Sequence, residues 1–432
     1  MRDVWNTAEL REWDKKHCWH PFTQMKAWCE GEPLVLVGGG GAIVWDSEGR
    51  EYIDGNSSIW TNIHGHCHPG ITRAIQEQAA RIAHVSFLGT SNPPAAELAA
   101  RLTALFPQQT LTRVFYSDDG STAVEAAIKM AVQYWQLAGQ PKRGTFVAFD
   151  HAYHGDTAGA ASLGGIGAFN DRFAGHHFPV LRISTASELD TLPAFQRGEI
   201  AAVIIEPLVQ GAAGIRLWQK GMLRELREKC DATGTLLILD EVLTGFGRTG
   251  TLFACEQENV IPDFLCLAKG LTGGYVPLAA TLTSEKIFSA FLGEFHEQKT
   301  FYYGHSYTAN AIGCAAALAN LNAFRDEQTL EALQPKIGFL RDLLGDVAMH
   351  RHVREVRQCG LIAGIEVGAE HGEPFVWTER VGGRICEAAR NHGLLTRPVL
   401  DTIVFMPPLC ITGPQIEAGI AAIVRAIDDV LG

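Results

Sequence analysis

The 432-residue chain predicts an α/β fold, with a large, mostly parallel sheet and a smaller α+β domain drawn from both chain ends. Three observations carry that prediction. Five short apolar runs, at residues 113–116, 145–149, 202–205, 236–239 and 264–267, show no polar alternation, which is the pattern of strands covered on both faces. Helix-patterned segments, 71–84 and 123–135 among them, lie between these runs. Beyond residue 324 the texture changes, and strand-like stretches at 360–367 and 403–405 sit among helices.

Taken in order, the chain starts with a short helix and then a small β meander at 34–37, 42–45 and 51–54, with Asp46-Ser47-Glu48-Gly49 as a hairpin turn. Residues 1–70 are assigned to the small domain, 71–324 to the large domain and 325–432 to the rest of the small domain. The closing helix places Ile416, Ile420, Ile423, Val424 and Ile427 on one face, and Thr412 with Gln415 forms a capping-box pattern at its start.

Composition removes several classes of function. Hydrophobic residues make up 47% and charged residues 19%, a globular balance and not a disordered one. The 36 basic and 48 acidic residues leave a net charge of −12, which argues against nucleic acid or an anionic membrane as partner. No apolar run is long enough to span a bilayer, and residues 1–16 are polar without an apolar signal core. Ten cysteines without a Cys-x-x-Cys pattern read as reduced thiols of a cytoplasmic chain. The 45 glycines exceed the usual share of ~7%, so backbone must approach something closely in turns, packing or ligand loops. The run 38–41 reads as a flexible turn.

In an open α/β sheet, ligands bind beyond the carboxyl ends of the strands. After 113–116 comes Ser117-Asp118-Asp119-Gly120-Ser121-Thr122 and then a helix, a phosphate cradle of backbone N–H groups and hydroxyls or an ordinary N-cap. After 236–239 come Asp240 and Glu241, and an acid on a buried strand end needs a positive partner. After 264–267 comes Lys269, a residue able to serve as nucleophile or base when desolvated, or else to snorkel to solvent. A cradle, an acid and a lysine in this order on one sheet meet the needs of pyridoxal 5′-phosphate: a seat for the phosphate, a carboxylate for the pyridine nitrogen and an amine for the covalent link. The rival pattern, Gly245-Phe246-Gly247-Arg248-Thr249-Gly250, matches a dinucleotide fingerprint. It starts five residues after its strand, and no long amphipathic helix follows it, so a nicotinamide-dependent oxidoreductase is the inferior reading. His64, His66 and His68 alternate near Cys67, but no further ligand framework completes a metal site, and they read as hydrogen-bonded histidines.

The stretch from Leu237 to Gly250, followed by Ala268-Lys269-Gly270-Leu271-Thr272-Gly273-Gly274, resembles the signature of class III aminotransferases. The likeness runs over essentially the whole chain. It implies the fold of the type I pyridoxal-phosphate enzymes and a homodimer with an active site shared across the interface. Trp19-His20-Pro21-Phe22-Thr23, Asp54-Gly55-Asn56-Ser57-Ser58-Ile59-Trp60, Tyr153-His154-Gly155-Asp156-Thr157 and Arg397-Pro398 are similar to the branch that serves biotin synthesis. That branch aminates the ketone of 8-amino-7-oxononanoate with S-adenosylmethionine as donor. Carried over, the resemblance gives Lys269 the covalent cofactor link, Asp240 the pyridinium nitrogen, Gly120 and Ser121 the phosphate, and Tyr153 the ring face. Gly304, His305 and Ser306 would reach the neighbouring subunit's site, with Ser306 on the phosphate. Arg397 would bind the substrate carboxylate, while Phe22, Ile59, Trp60, Tyr153 and Gly304 would face substrate. Glu206 and Gln210 belong to the stretch beside the cofactor. Many members of the branch carry tyrosine where Phe22 stands and paired tryptophans where this chain has Ile59-Trp60. Such changes resemble a subgroup that includes enzymes with lysine as donor. An ω-amino acid:pyruvate transaminase shares the same cofactor residues.

Overall fold

A computed structural model describes residues 5–370 and 372–432; residues 1–4 of the polar start lie outside the described residues. The strands, in chain order, are β1 (Leu36–Gly40), β2 (Ile43–Asp46), β3 (Glu51–Asp54), β4 (Arg113–Ser117), β5 (Thr145–Phe149), β6 (Val180–Ile183), β7 (Ile200–Ile205), β8 (Val209–Gln210) and β9 (Arg216–Leu217). They continue with β10 (Leu236–Asp240), β11 (Phe264–Leu267), β12 (Ala279–Thr283), β13 (Val353–Cys359), β14 (Ile362–Val367), β15 (Leu394–Leu395), β16 (Pro398–Val399) and β17 (Thr402–Phe405).

The central sheet has seven strands in the order β4-β12-β11-β10-β7-β5-β6. Only β12 runs against the others, pairing antiparallel with both β11 and β4. This is the predicted fold class, with two strands added to the five legible apolar runs. β7 and β10 are buried at every position, because helices cover both faces of the sheet and leave no side for polar residues. One cover is the 18-residue helix Gly120–Leu137, whose Ala123, Ala127, Ala131 and Trp135 pack in the core.

Two four-stranded sheets and the small β8-β9 pair complete the strand pairing of the described residues. β13-β14-β17-β16 form one sheet from the C-terminal part. The other joins the chain ends: β15 lies parallel to β3, with Leu394 opposite Ile53 and Leu395 opposite Asp54. That pairing sets the residues after β3 (Asn56–Trp60) beside those after β15 (Arg397 onward), which sequence separation alone would not suggest. The closing helix Gly413–Leu431 begins with the expected capping box, the Thr412 N–H donating to Gln415 Oε1 at 2.9 Å.

The glycine run 38–41 is not a flexible turn. Gly38 to Gly40 belong to β1, and a Cβ at Gly38 would fall 2.4 Å from the Trp45 indole nitrogen, while one at Gly39 would fall 2.9 Å from the His66 ring. Glycine lets two large rings lie flat on this strand. The Gly245–Gly250 stretch is likewise a packing turn. It encloses Arg248, which is fully buried and donates to the carbonyls of Pro407 (2.8 Å) and Asn62 (2.6 Å).

Candidate active site

The carboxyl ends of β4, β5, β7, β10 and β11 open onto one cavity of about 890 Å³. Gly120, Ser121, Tyr153, Glu206, Asp240 and Lys269 line it from the sheet side, joined by Phe22, which precedes β1, Ile59 and Trp60, which follow β3, and Arg397, between β15 and β16. These sequence-selected residues therefore converge on a single space.

The cradle is the start of helix Gly120–Leu137. Asp119 caps it, accepting from the Thr122 N–H at 2.9 Å. Gly120 and Ser121, which open the helix, have no intrahelical acceptor for their N–H groups, and both face the cavity. Ser121 Oγ accepts from the Asp156 N–H at 3.1 Å. Gly155 (φ +119°) passes so near that a Cβ there would fall 2.2 Å from Ser121 Oγ. The loop after β5 is thus pressed against the helix end by two residues that tolerate no bulk.

Asp240 closes β10. Only 4% of it is exposed, and its Oδ2 lies 2.7 Å from His154 Nδ1 while Oδ1 accepts from the Val242 N–H at 3.1 Å. His154 is a functional residue that sequence reasoning left without a role; its only signal was a histidine directly after Tyr153. It fixes the carboxylate that faces the cavity, and its Nε2 is buried without a partner among the described residues. Glu206, at the end of β7, accepts from the N–H groups of Tyr153 (3.1 Å) and Gly211 (3.0 Å). Burial pushes its carboxyl up to about 7, against the pull of His154.

Lys269 follows β11 in a left-handed conformation, φ +43°. Enclosure drives its ammonium pKa down, Asp240 opposing the effect, and its Nζ stands 5.1 Å from the Trp60 ring centroid. Tyr153 donates from its hydroxyl to Asp156 Oδ2 at 2.7 Å, and its ring meets Phe169 edge-on at 5.9 Å. Phe169 in turn meets Phe22 at 5.4 Å, so an aromatic chain runs from the cofactor side to the mouth. Phe22 is 61% exposed there.

Trp60 sits on a strained turn. Ser57, Ser58 and Trp60 have φ of +47°, +64° and +65°; left-handed backbone costs a non-glycine residue on the order of 1–3 kcal/mol, so the surroundings must hold it. Arg397 is exposed and has no acidic partner among the described residues, which leaves its guanidinium available to a ligand carboxylate.

Four selected residues, Gly304, His305, Ser306 and Gln210, do not line this cavity. Gly304 and Ser306 are exposed; the Ser306 carbonyl lies 2.7 Å from His84 Nε2, and His305 Nδ1 lies 2.7 Å from Asp118 of its own chain. Gln210 is buried behind the site, donating to the Asp150 carbonyl at 2.8 Å. Glu241 accepts from the N–H groups of Ala254 and Cys255 and from Thr244, and so serves the fold. Of the alternating histidines, His66 pairs with Asp54 at 2.8 Å and His68 with Glu327 at 2.6 Å, while His64 meets Phe324 edge-on at 4.7 Å. No group of three or more metal-ligating side chains is assembled among the described residues.

An open helix N-terminus, a braced carboxylate and an enclosed lysine with a depressed pKa fit a phosphorylated pyridine aldehyde. The class-III aminotransferase family profile matches residues 27–427, and the chain belongs to that family. It is a pyridoxal-phosphate-dependent aminotransferase. The adenosylmethionine-8-amino-7-oxononanoate aminotransferase of Geobacter sulfurreducens is 45% identical, covering 99% of each chain. The structure of the Methanocaldococcus jannaschii protein of the same name superposes with a TM-score of 0.95 at 40% identity, covering 98% of this chain and 100% of that one. An (S)-enantioselective omega-transaminase from Thermomicrobium roseum superposes with a TM-score of 0.94 at 35% identity, covering 100% of both.

Proposed function

We propose that this aminotransferase acts in biotin synthesis, transferring an amino group to the ketone of 8-amino-7-oxononanoate to give 7,8-diaminononanoate, with S-adenosylmethionine as donor. The observation that supports this most is likeness over 97–99% of this chain to relatives bearing that name at 45–47% identity, joined to a cavity that Lys269 and the Arg397 guanidinium both line.

Bound pyridoxal 5′-phosphate supplies the aldehyde that receives the amino group and the ring that accepts electrons. The residues divide the remaining work. The first turn of Gly120–Leu137 and the Ser121 hydroxyl hold the phosphate. Asp240, steadied by His154, keeps a proton on the pyridine nitrogen. Lys269 Nζ, whose charge enclosure disfavours, would take the substrate α-proton and return it to the carbon that the cofactor's aldehyde supplies. Tyr153 covers the ring. Arg397 anchors the substrate carboxylate, and Trp60, Ile59 and Phe22 exclude water along the aliphatic chain. The working unit is a homodimer, in which Gly304, His305 and Ser306 serve the neighbouring site. Ile82, Leu88, Tyr302 and Tyr307 are exposed apolar residues, and His84 packs on Tyr307 at 5.0 Å, so their two segments are neighbours on the surface. Such a patch is the mark of an interface, and sedimentation at micromolar protein tests it.

The omega-transaminase likeness favours a second reading, amine transfer to pyruvate. Mass-spectrometric assay of 7,8-diaminononanoate with S-adenosylmethionine, lysine and an ω-amine as separate donors separates them. Product with S-adenosylmethionine supports the proposal and product with lysine corrects the donor. Turnover of the ω-amine and pyruvate alone refutes the biotin assignment.

A further inference from the structure

We infer that Asp54 and His66 form a positioning pair that holds the strained turn carrying Ile59 and Trp60 in the substrate wall. Asp54 is nearly sealed from solvent. Its Oδ1 accepts from the Asn56 N–H (3.2 Å) and the Ser58 N–H (3.1 Å), and its Oδ2 accepts from the Ser58 N–H (2.9 Å) and lies 2.8 Å from His66 Nε2. One carboxylate thus ties down the backbone N–H groups on either side of the left-handed Ser57. Asn56, so placed, accepts from the Trp60 indole N–H at 2.9 Å and donates to the Ser58 carbonyl at 3.1 Å. From Asp54 to the indole the chain of contacts is continuous, and the indole ends 5.1 Å from Lys269 Nζ.

The backbone preference of the residues opposes this shape, since three of the four from Ser57 to Trp60 have positive φ without being glycine. Strain of this kind persists only when neighbours impose it, and it gathers at functional sites. His66 is the side chain that holds the carboxylate's Oδ2 from outside the turn. Its own position follows from the glycine run: its backbone bridges Gly41 in both directions (2.8 and 3.0 Å), and its ring lies on Gly39, where any Cβ would collide. The glycines of β1, the histidine and the acid therefore form one device, set beside Arg397 by the β3–β15 pairing. The inference rests on the reading of Trp60 and Ile59 as substrate walls.

The test uses the full-length, cofactor-loaded enzyme with whichever donor and acceptor pair it turns over. His66→Leu removes the donor and keeps bulk, while His66→Gln keeps an N–H for Asp54. His66→Leu is expected to raise KM for the oxo acceptor about tenfold with kcat within about threefold, as expected when a wall group is misplaced. His66→Gln is expected to return KM to within about threefold of the parent. Melting temperature of the apo protein is the second readout. A lowered melting temperature with unchanged KM in His66→Leu, or equal KM for His66→Leu and His66→Gln, overturns the inference. If His66→Leu yields no folded protein, Asp54→Asn answers the same question, with a raised KM supporting the inference and a parental KM overturning it. Trp60→Ala separates the two levels. If its KM is parental, the wall reading fails; if its KM rises while His66→Leu stays parental, only the positioning inference fails.

Discussion

The two ends of the cavity are built by different means. At the cofactor end, the functional groups sit on or just after strand termini of one buried sheet, and most are already engaged: Asp240 by His154 and Val242, Glu206 by two backbone N–H groups, Ser121 by Asp156. At the substrate end, Phe22, Ile59 and Arg397 stand exposed on segments from distant parts of the chain, and Trp60 rides on a strained turn. The first end is arranged before anything binds, as electrostatic catalysis requires. The second has exposed side chains with contacts still to make, suited to a pocket that must admit a donor and then a different acceptor.

This contrast predicts that damage at the cofactor end falls on kcat and damage at the substrate end on KM. The largest effect belongs to Lys269→Ala, expected to reduce kcat by about 10³-fold or more, since it removes the proton carrier; single-turnover assay measures it. Asp240→Asn comes next, with kcat lowered about 10²-fold and a weaker hold on the cofactor, read by dialysis followed by absorbance. A loss confined to KM in either variant breaks the division. Arg397→Ala is expected to raise KM for the oxo acid about 10- to 100-fold with kcat nearly kept, the value of a charged hydrogen bond. Steady-state kinetics with the acid and its methyl ester sharpen the result, because the ester should not discriminate between parent and variant.

The smallest effect is one of stability. The buried Glu206 carboxyl titrates near 7, above its usual 4.5. The folded state therefore holds this proton more tightly than the unfolded chain. The resulting stabilisation is full below about 4.5 and is lost as pH rises through 7. Glu206→Gln should flatten the apo protein's fall in melting temperature between pH 5 and pH 7.5 by a few degrees. An unchanged slope would place the titration elsewhere.

What the sequence made legible follows the same division. β5 and β11 fall at the apolar runs that predicted them, and β4, β7 and β10 differ by one or two residues at an end, because strands covered on both faces carry an uninterrupted signal. β6 was hidden by Arg182, which breaks its apolar run and donates to the carbonyls of Leu163 and Ser162. β12, Ala-Ala-Thr-Leu-Thr, was hidden by small and polar residues; Thr281 buries its hydroxyl by donating to the Ala123 carbonyl. β13, Val-Arg-Glu-Val-Arg-Gln-Cys, sets two charged or polar residues between successive apolar ones and lay outside the predicted elements. In the site, strand-end position exposed Asp240 and Lys269, and residue type alone gave no access to His154. The Asp54–His66 contact depends on glycines that remove side chains, and an absent side chain leaves no apolar pattern to read.

The central claim is that Lys269 carries the cofactor in this cavity. Borohydride reduction of the purified enzyme, followed by peptide mass mapping, tests it most directly. The expected result is one pyridoxyl-phosphate adduct, on the peptide that contains Lys269 and at that residue. An adduct on another lysine, or none in protein that shows cofactor absorbance, would contradict the account.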